Sequence, residues 1–187
     1  MKAKTFGETD NFKEDGILFM GLEHLSYPVV RQGGETMACW AASMSWYGKA
    51  VRHLNYDMFQ VAEMYTGSMA PPPDGLQIGG MGDTGRRRLF RDHKWRLNQT
   101  ETGRDGMSMN LINMYLDSSP TIICYWDPNL GGTGGSHVNV IIAKVPFTES
   151  QFFIMDPDEP SFKIRSLQYY SEKSLHFHLA SLKGASY

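Results

Sequence analysis

The chain has 187 residues, 41% of them hydrophobic and 20% charged, with 18 basic and 20 acidic side chains and a formal net charge of −2. That length suits one domain, and a chain this apolar and aromatic is no disordered segment. The near balance of charge excludes a global field for nucleic acid or a membrane surface, and no run approaches the roughly 18–20 apolar residues of a membrane span. In chain order, residues 1–25 carry little periodicity and read as an N-terminal arm or linker remnant, leaving 26–187 as the domain. Met1 to Asp15 is polar and lacks the apolar stretch of a signal peptide, so a cytoplasm-like compartment is expected. Delivery by a dedicated secretion machine needs no such signal.

A helix is predicted over 39–49 (CWAASMSWYGK), where Ala41, Ala42 and Met44 favour it and Gly48 stands near its end. A second is predicted over 55–65, with Met58, Phe59, Ala62 and Tyr65 on one side and Gly67 as its stop. Residues 70–85 hold too many prolines and glycines for either regular state. A short helix over 86–93, a strand over 94–99 and a helix over 107–117 follow. The basic run Arg86-Arg87-Arg88 with Arg91 encloses Leu89 and Phe90 and reads as the solvated face of a helix. After Pro120 the texture changes to β-branched and aromatic runs, predicting strands over 121–126, 137–145, 151–155 and 162–165. Helices first and strands second predict an α+β fold, its antiparallel sheet packed against an N-terminal helical part.

Two cysteines, Cys39 and Cys124, form neither a disulfide framework nor a CxxC zinc pair. Cys124, in the apolar strand TIICYW, reads as core. Cys39 opens a helix, where the positive end of the helix dipole favours a thiolate, and Ala38, Ala41 and Ala42 let another layer approach closely. The competing reading is a small buried hydrophobe. His137 stands at a strand start, straight after the glycine-rich stretch 131–135 and Ser136. Asp156 ends the next strand, with Pro157 forcing a turn. If those two strands are antiparallel neighbours, imidazole and carboxylate share one end of the sheet, and the carboxylate fixes the ring's tautomer. Thiol, base and orienter are the parts of an activated nucleophile.

In these residues the chain resembles the papain-like cysteine peptidases of bacterial type, with a pattern similar to double-glycine leader peptidases and secreted effector proteases. The matching positions are Gln32, then Cys39-Trp40-Ala41, His137 in HVNVII and Asp156 in IMDP, covering roughly residues 28–180. The resemblance implies a papain-like fold with Cys39 as nucleophile, His137 as general base and Asp156 as its orienter, where plant papains carry Asn. It assigns Gln32 to the oxyanion hole beside the Cys39 backbone N–H. Further implications are a protein or peptide substrate cut after small residues, Gly-Gly favoured, and the role of an effector toxin in bacterial competition with a cognate immunity protein. No cofactor or metal is expected.

Trp126, Gly134, Gly135 and Ser136 are candidate substrate-binding residues around the cleft, since glycine-rich backbone suits close approach of an extended peptide. Asp158 is the fallback orienter. His176 and His178 would share one strand face, the start of a metal pair, but no third ligand at suitable spacing accompanies them, and they read as surface histidines. Two rivals to peptide hydrolysis stand. A thioester-forming transamidase, deamidase or amidase would use the same constellation, and an inactive papain-like binding module would keep only the scaffold.

Overall fold

The computed structural model describes residues 21–35, 37–70, 72, 74–130 and 134–183. Most of the expected N-terminal arm, residues 1–20, and the glycine-rich stretch 131–133 lie outside the described residues. Residues Leu22–Ser26, which the sequence assigns to the arm, form a 3-10 turn against the sheet, with Leu22 and Leu25 packed on the core.

Five α-helices are described: α1 (Cys39–Arg52), α2 (Met58–Met64), α3 (Asp83–Arg91), α4 (Met109–Leu116) and α5 (Leu167–Lys173). They pack on a six-stranded antiparallel sheet of β1 (Leu97–Gly103), β2 (Thr121–Asp127), β3 (Gly135–Lys144), β4 (Gln151–Met155), β5 (Lys163–Ser166) and β6 (His176–Leu182), in the order β1-β6-β2-β3-β4-β5. The fold is α+β, as expected. None of the described helices is long and apolar enough to cross a membrane.

Helix α1 is the spine of one layer. Met44, Trp46, Tyr47 and Ala50 are almost wholly buried between the sheet and α2, and each large side chain there contributes about 1.5–3 kcal/mol on burial. Gly48 does not end this helix. Its missing side chain lets the Trp95 ring lie against the helix, where a Cβ would sit 3.2 Å away. The helix runs on to Arg52 and stops at His53, which takes a left-handed conformation (φ 54°) while the Leu54 N–H closes on the Gly48 carbonyl at 2.9 Å.

Helix α2 starts three residues later than its apolar periodicity suggests, because Asp57 and Gln60 form a reciprocal capping box. Strand β1 starts three residues late because Asp92 to Trp95 closes a turn and Arg96 is left-handed (φ 51°). Ser108 and Ser166 cap α4 and α5.

The sheet is covered on both faces. Ile122, Val138, Val140, Ile142 and Ala180 face the α1 layer. Ile123, Tyr125, Ile141, Phe177 and Leu179 meet Ile112 and Tyr115 of α4 and Tyr170 of α5. That second layer, with α5 and β6, is absent from the sequence-based expectation. Strand β6 is also an interior strand, paired on both edges by β1 and β2, although its two histidines suggested surface.

Candidate active site

Two successive turns lead the chain into α1. The Glu35 N–H donates to the Gln32 carbonyl (3.1 Å) and the Ala38 N–H to the Glu35 carbonyl (2.9 Å), with Gly33 left-handed at φ 63°. The Glu35 carboxylate accepts from the backbone of Gln77 (2.8 Å) and Ile78 (3.0 Å), and Trp40 Nε1 donates to the Gly79 carbonyl (3.0 Å). The broken stretch 70–85 therefore braces the start of α1. Ala38, the N-cap residue, offers no side-chain acceptor, so the first-turn N–H groups beside Cys39 remain uncapped. Cys39 itself is 5% exposed, its sulfur 3.9 Å from the Ser136 carbonyl oxygen.

The register of the sheet sets the other half of the site. Strand β3 pairs with β2 over 135–141, but β4 meets it only from Val140 onward, leaving 135–139 without a β4 neighbour. Into that gap turns the chain after β4. Asp156 Oδ1 lies 2.8 Å from His137 Nε2, and both side chains are about 3% exposed. Their meeting follows from the antiparallel pairing of β3 and β4. Asp156 Oδ1 also accepts the Asp158 N–H at 3.1 Å, an Asx turn, while Oδ2 is bound by Arg165 Nη2 of β5.

Burial pushes the His137 pKa down, but the hydrogen bond to Asp156 and the proximity of Cys39, with the charge of both, outweigh it, raising the ring to about 10. For Asp156 burial again opposes, and the hydrogen bond and charge of His137, with Arg165 behind them, hold its carboxyl below the usual range. Nε2 being taken by Asp156, the nitrogen left for the thiol is Nδ1, which is buried and has no hydrogen-bond partner among the described residues. Cys39, His137 and Asp156 are thus brought together.

Gln32 is buried, 6% exposed, and its Nε2 donates to Asp158 Oδ1, whose other oxygen lies 3.8 Å from His137 Nε2. Its backbone N–H donates to the Pro157 carbonyl at 3.1 Å. Burial and the neighbouring Asp156 charge push the Asp158 carboxyl up. The polar atoms of His137, Asp156 and Asp158 lie within 4.8 Å of one another, close enough for a metal ion. A cation there would have to displace the proton that His137 holds and would face Arg165, so the donor set suits a proton better than a metal.

Trp126, at the end of β2, pairs with Ser136 and is 49% exposed. Gly134 (φ 79°) lies flat on that indole, where a Cβ would stand 2.9 Å from the ring. Gly135 begins β3 against Leu130. Cys124 faces the α1 layer, and its burial, aided by Cys39 nearby, pushes its thiol up to about 12. His178 meets Glu101 at 3.2 Å across β6 and β1, and burial together with Arg86 lowers its pKa. A guanidinium beside the imidazole disfavours a cation there.

Three residues unmarked by the sequence support the site. Arg165 binds Asp156 and stacks on Tyr169 at 4.3 Å. Asn139, with its amide oriented to suit its neighbours, accepts from Arg165 Nη1 (2.7 Å) and the Tyr125 hydroxyl (3.1 Å) and donates to Asp156 Oδ1 (3.3 Å). Tyr125 packs edge-on against His137, ring centroids 5.7 Å apart. The strand FKIR carries the only advance signal, a cationic side chain in a half-buried strand.

No protein-family model matches the chain, and no curated protein matches it. Among solved structures it is similar to the Salmonella effector SpvD, G161 variant, at 14% identity and TM-score 0.47, over 91% of this chain and 84% of that one. It is also similar to the N-terminal peptidase C39-like domain of the toxin secretion ATP-binding protein from Vibrio parahaemolyticus, at 14% identity and TM-score 0.34, over 66% and 90%.

Proposed function

We propose that the chain is a cysteine peptidase of papain-like type. The observation that carries this reading is a buried imidazole bound through Nε2 to a carboxylate at 2.8 Å, its Nδ1 left unpaired among the described residues and the Cys39 thiol, at an uncapped helix start, near enough to raise its pKa. His137 takes the proton of Cys39. The sulfur attacks the substrate carbonyl carbon, forming the C–S bond, and the Cys39 backbone N–H and Gln32 amide stabilise the oxyanion. Collapse breaks the C–N bond as His137 gives its proton to the leaving amine. Water, deprotonated by His137, then hydrolyses the thioester. Asp156 keeps the ring in the tautomer that presents Nδ1 to sulfur.

The substrate in this reading is an extended peptide bounded by Trp126, Gly134, Gly135 and Ser136 and cut after small residues, Gly-Gly favoured. The packing of Gly134 on Trp126 supports a backbone-lined wall: a Cβ at Gly134 would stand 2.9 Å from the indole, so this stretch offers main chain rather than side chain to an extended peptide. The wider role we propose is that of an effector toxin inside a bacterial target cell, restrained by a partner protein that occludes the cleft.

Iodoacetamide labelling at about pH 6 tests the catalytic core, with the adduct located by mass spectrometry. A single adduct on Cys39, abolished in Cys39→Ala and strongly slowed in His137→Ala, is expected. Equal labelling rates in wild type and His137→Ala would remove the activated thiol and the peptidase reading with it. Profiling a peptide library with the purified protein then decides the specificity, and a preference for a bulky aromatic or basic residue directly before the cut would overturn the small-residue reading alone.

A further inference from the structure

We propose that Asp158 is a positioning residue for the oxyanion donor: its carboxylate fixes the Gln32 amide so that nitrogen, not oxygen, faces the reacting centre. The inference rests on the peptidase reading, in which Gln32 is that donor. A glutamine amide is nearly symmetric in shape and can rotate about its last bond, exchanging a donor for an acceptor. An acceptor in an oxyanion hole would repel the developing charge, so the amide must be held in one state. Among the described residues one group does so. Gln32 Nε2 has a single hydrogen bond among the described residues, to Asp158 Oδ1, and Oε1 is buried with no partner. Reversing the amide would set Oε1 against the carboxylate, acceptor against acceptor. The nitrogen carries two hydrogens, so the one not given to Asp158 is available for the oxyanion.

The chain around the pair is arranged to the same end. The Gln32 N–H is tied to the Pro157 carbonyl, and the Asp158 N–H to Asp156 Oδ1. Gln32 and Asp158 are therefore anchored by backbone to the same short segment before their side chains meet. Asp158 also lies near His137, at 3.8 Å, but that is a long contact beside the 2.8 Å bond of Asp156. A role through the ring and a role through Gln32 make different predictions.

Two reactions of Cys39 separate them. With iodoacetamide the sulfur displaces iodide, the C–S bond forming as C–I breaks, and no oxyanion arises. With p-nitrophenyl acetate the sulfur adds to the carbonyl, an oxyanion forms, and the C–O bond breaks to release p-nitrophenolate. Both depend on thiol and His137; only the second depends on Gln32. In full-length Asp158→Ala, alkylation rate and its pH profile should stay within about twofold of wild type. Acylation should fall by about 10-fold or more, up to the 10²–10³-fold expected of losing the donor itself in Gln32→Ala. The double variant should be no worse than Gln32→Ala, since a positioning group has nothing left to position. Asp158→Glu, able to restore the acceptor, should recover part of the loss.

An unchanged ratio of acylation to alkylation in Asp158→Ala would overturn the proposal while leaving the activated thiol intact. So would an altered alkylation profile with an unchanged ratio, which would make Asp158 a partner of His137. Additive losses in the double variant would overturn it too. A Cys39 inert to both reagents in wild type would end the peptidase reading together with this one.

Discussion

Asp156→Asn should change how stability depends on pH more than it changes stability at alkaline pH. In the folded protein His137 keeps its proton up to about pH 10, whereas an unfolded histidine releases it near 6.5. A raised pKa of this kind contributes stability that is fully present below about pH 6.5 and is lost as pH rises through about 10. Asp156 behaves oppositely: its pKa is lowered, so its contribution is present above about pH 3.9 and is lost as pH falls through the depressed folded value.

The Asn variant keeps the shape but removes the anion from between two cations, His137 at 2.8 Å and Arg165, in a pocket where the Asp156 side chain is 3% exposed. Removing one partner from such a buried set costs roughly 3–5 kcal/mol, and the share carried by the imidazolium hydrogen bond is about 1.5–3 kcal/mol. That share disappears once the ring is neutral. Urea unfolding of both proteins at pH 6, 8 and 10.5 measures it. The gap between them should be largest at pH 6 and smaller by about 1.5–3 kcal/mol at pH 10.5. A gap constant to within about 0.5 kcal/mol would refute the coupling of ring and carboxylate, since the other titrations are common to both proteins and cancel.

Gly134→Ala should lose stability by about 1–2 kcal/mol, because φ is 79° and the new Cβ would stand 2.9 Å from the Trp126 ring. Peptide cleavage should fall in that variant while Cys39 alkylation holds its rate, as competitive labelling and peptide turnover on the same sample can report. Cys124→Ser should keep both alkylation and turnover, and wild type at pH 7 should take one adduct rather than two, since burial pushes the second thiol up to about 12.

The three residues easiest to find in the sequence all stand at ends of elements. Cys39 precedes a run of small helix formers, His137 follows a glycine-rich stretch, and Asp156 precedes a proline. Such positions announce themselves locally, because caps and turns demand particular residues. Arg165, Asn139 and Tyr125 do not, since their value depends on the register of β3 with β2 and of β4 with β5, which no local pattern encodes. Strand β6 was hidden for a related reason. His176 and His178 give HFHLASL a polar look, and Glu101, opposite His178 in register, lies far away in the chain. Helix α5 is one short stretch of LQYYSEK whose apolar weight, Tyr170, finds its burial only against Tyr125 and the sheet.

The segment Asp156-Pro157-Asp158 shows how little chain can join two halves of a site. The chain turns here, the Glu159 N–H closing on the Asp156 carbonyl at 3.0 Å and the Asp158 N–H on Asp156 Oδ1, and both carboxylates lie toward His137 and the Gln32 arm. Between them Pro157 has no N–H to satisfy, and its carbonyl holds the Gln32 backbone at 3.1 Å. Asp156 thereby serves the base and Asp158 the amide, each fixed by the other through the 3.1 Å Asx turn. The two carboxylates diverge in chemistry because their surroundings do. One is enclosed by His137 and Arg165, which hold it ionised; the other is partly buried with a like charge beside it, and burial and that charge push its carboxyl up. One carboxylate is thus fixed as a charge and the other acts chiefly as an acceptor. An imidazole needs the first, and a glutamine amide needs only the second.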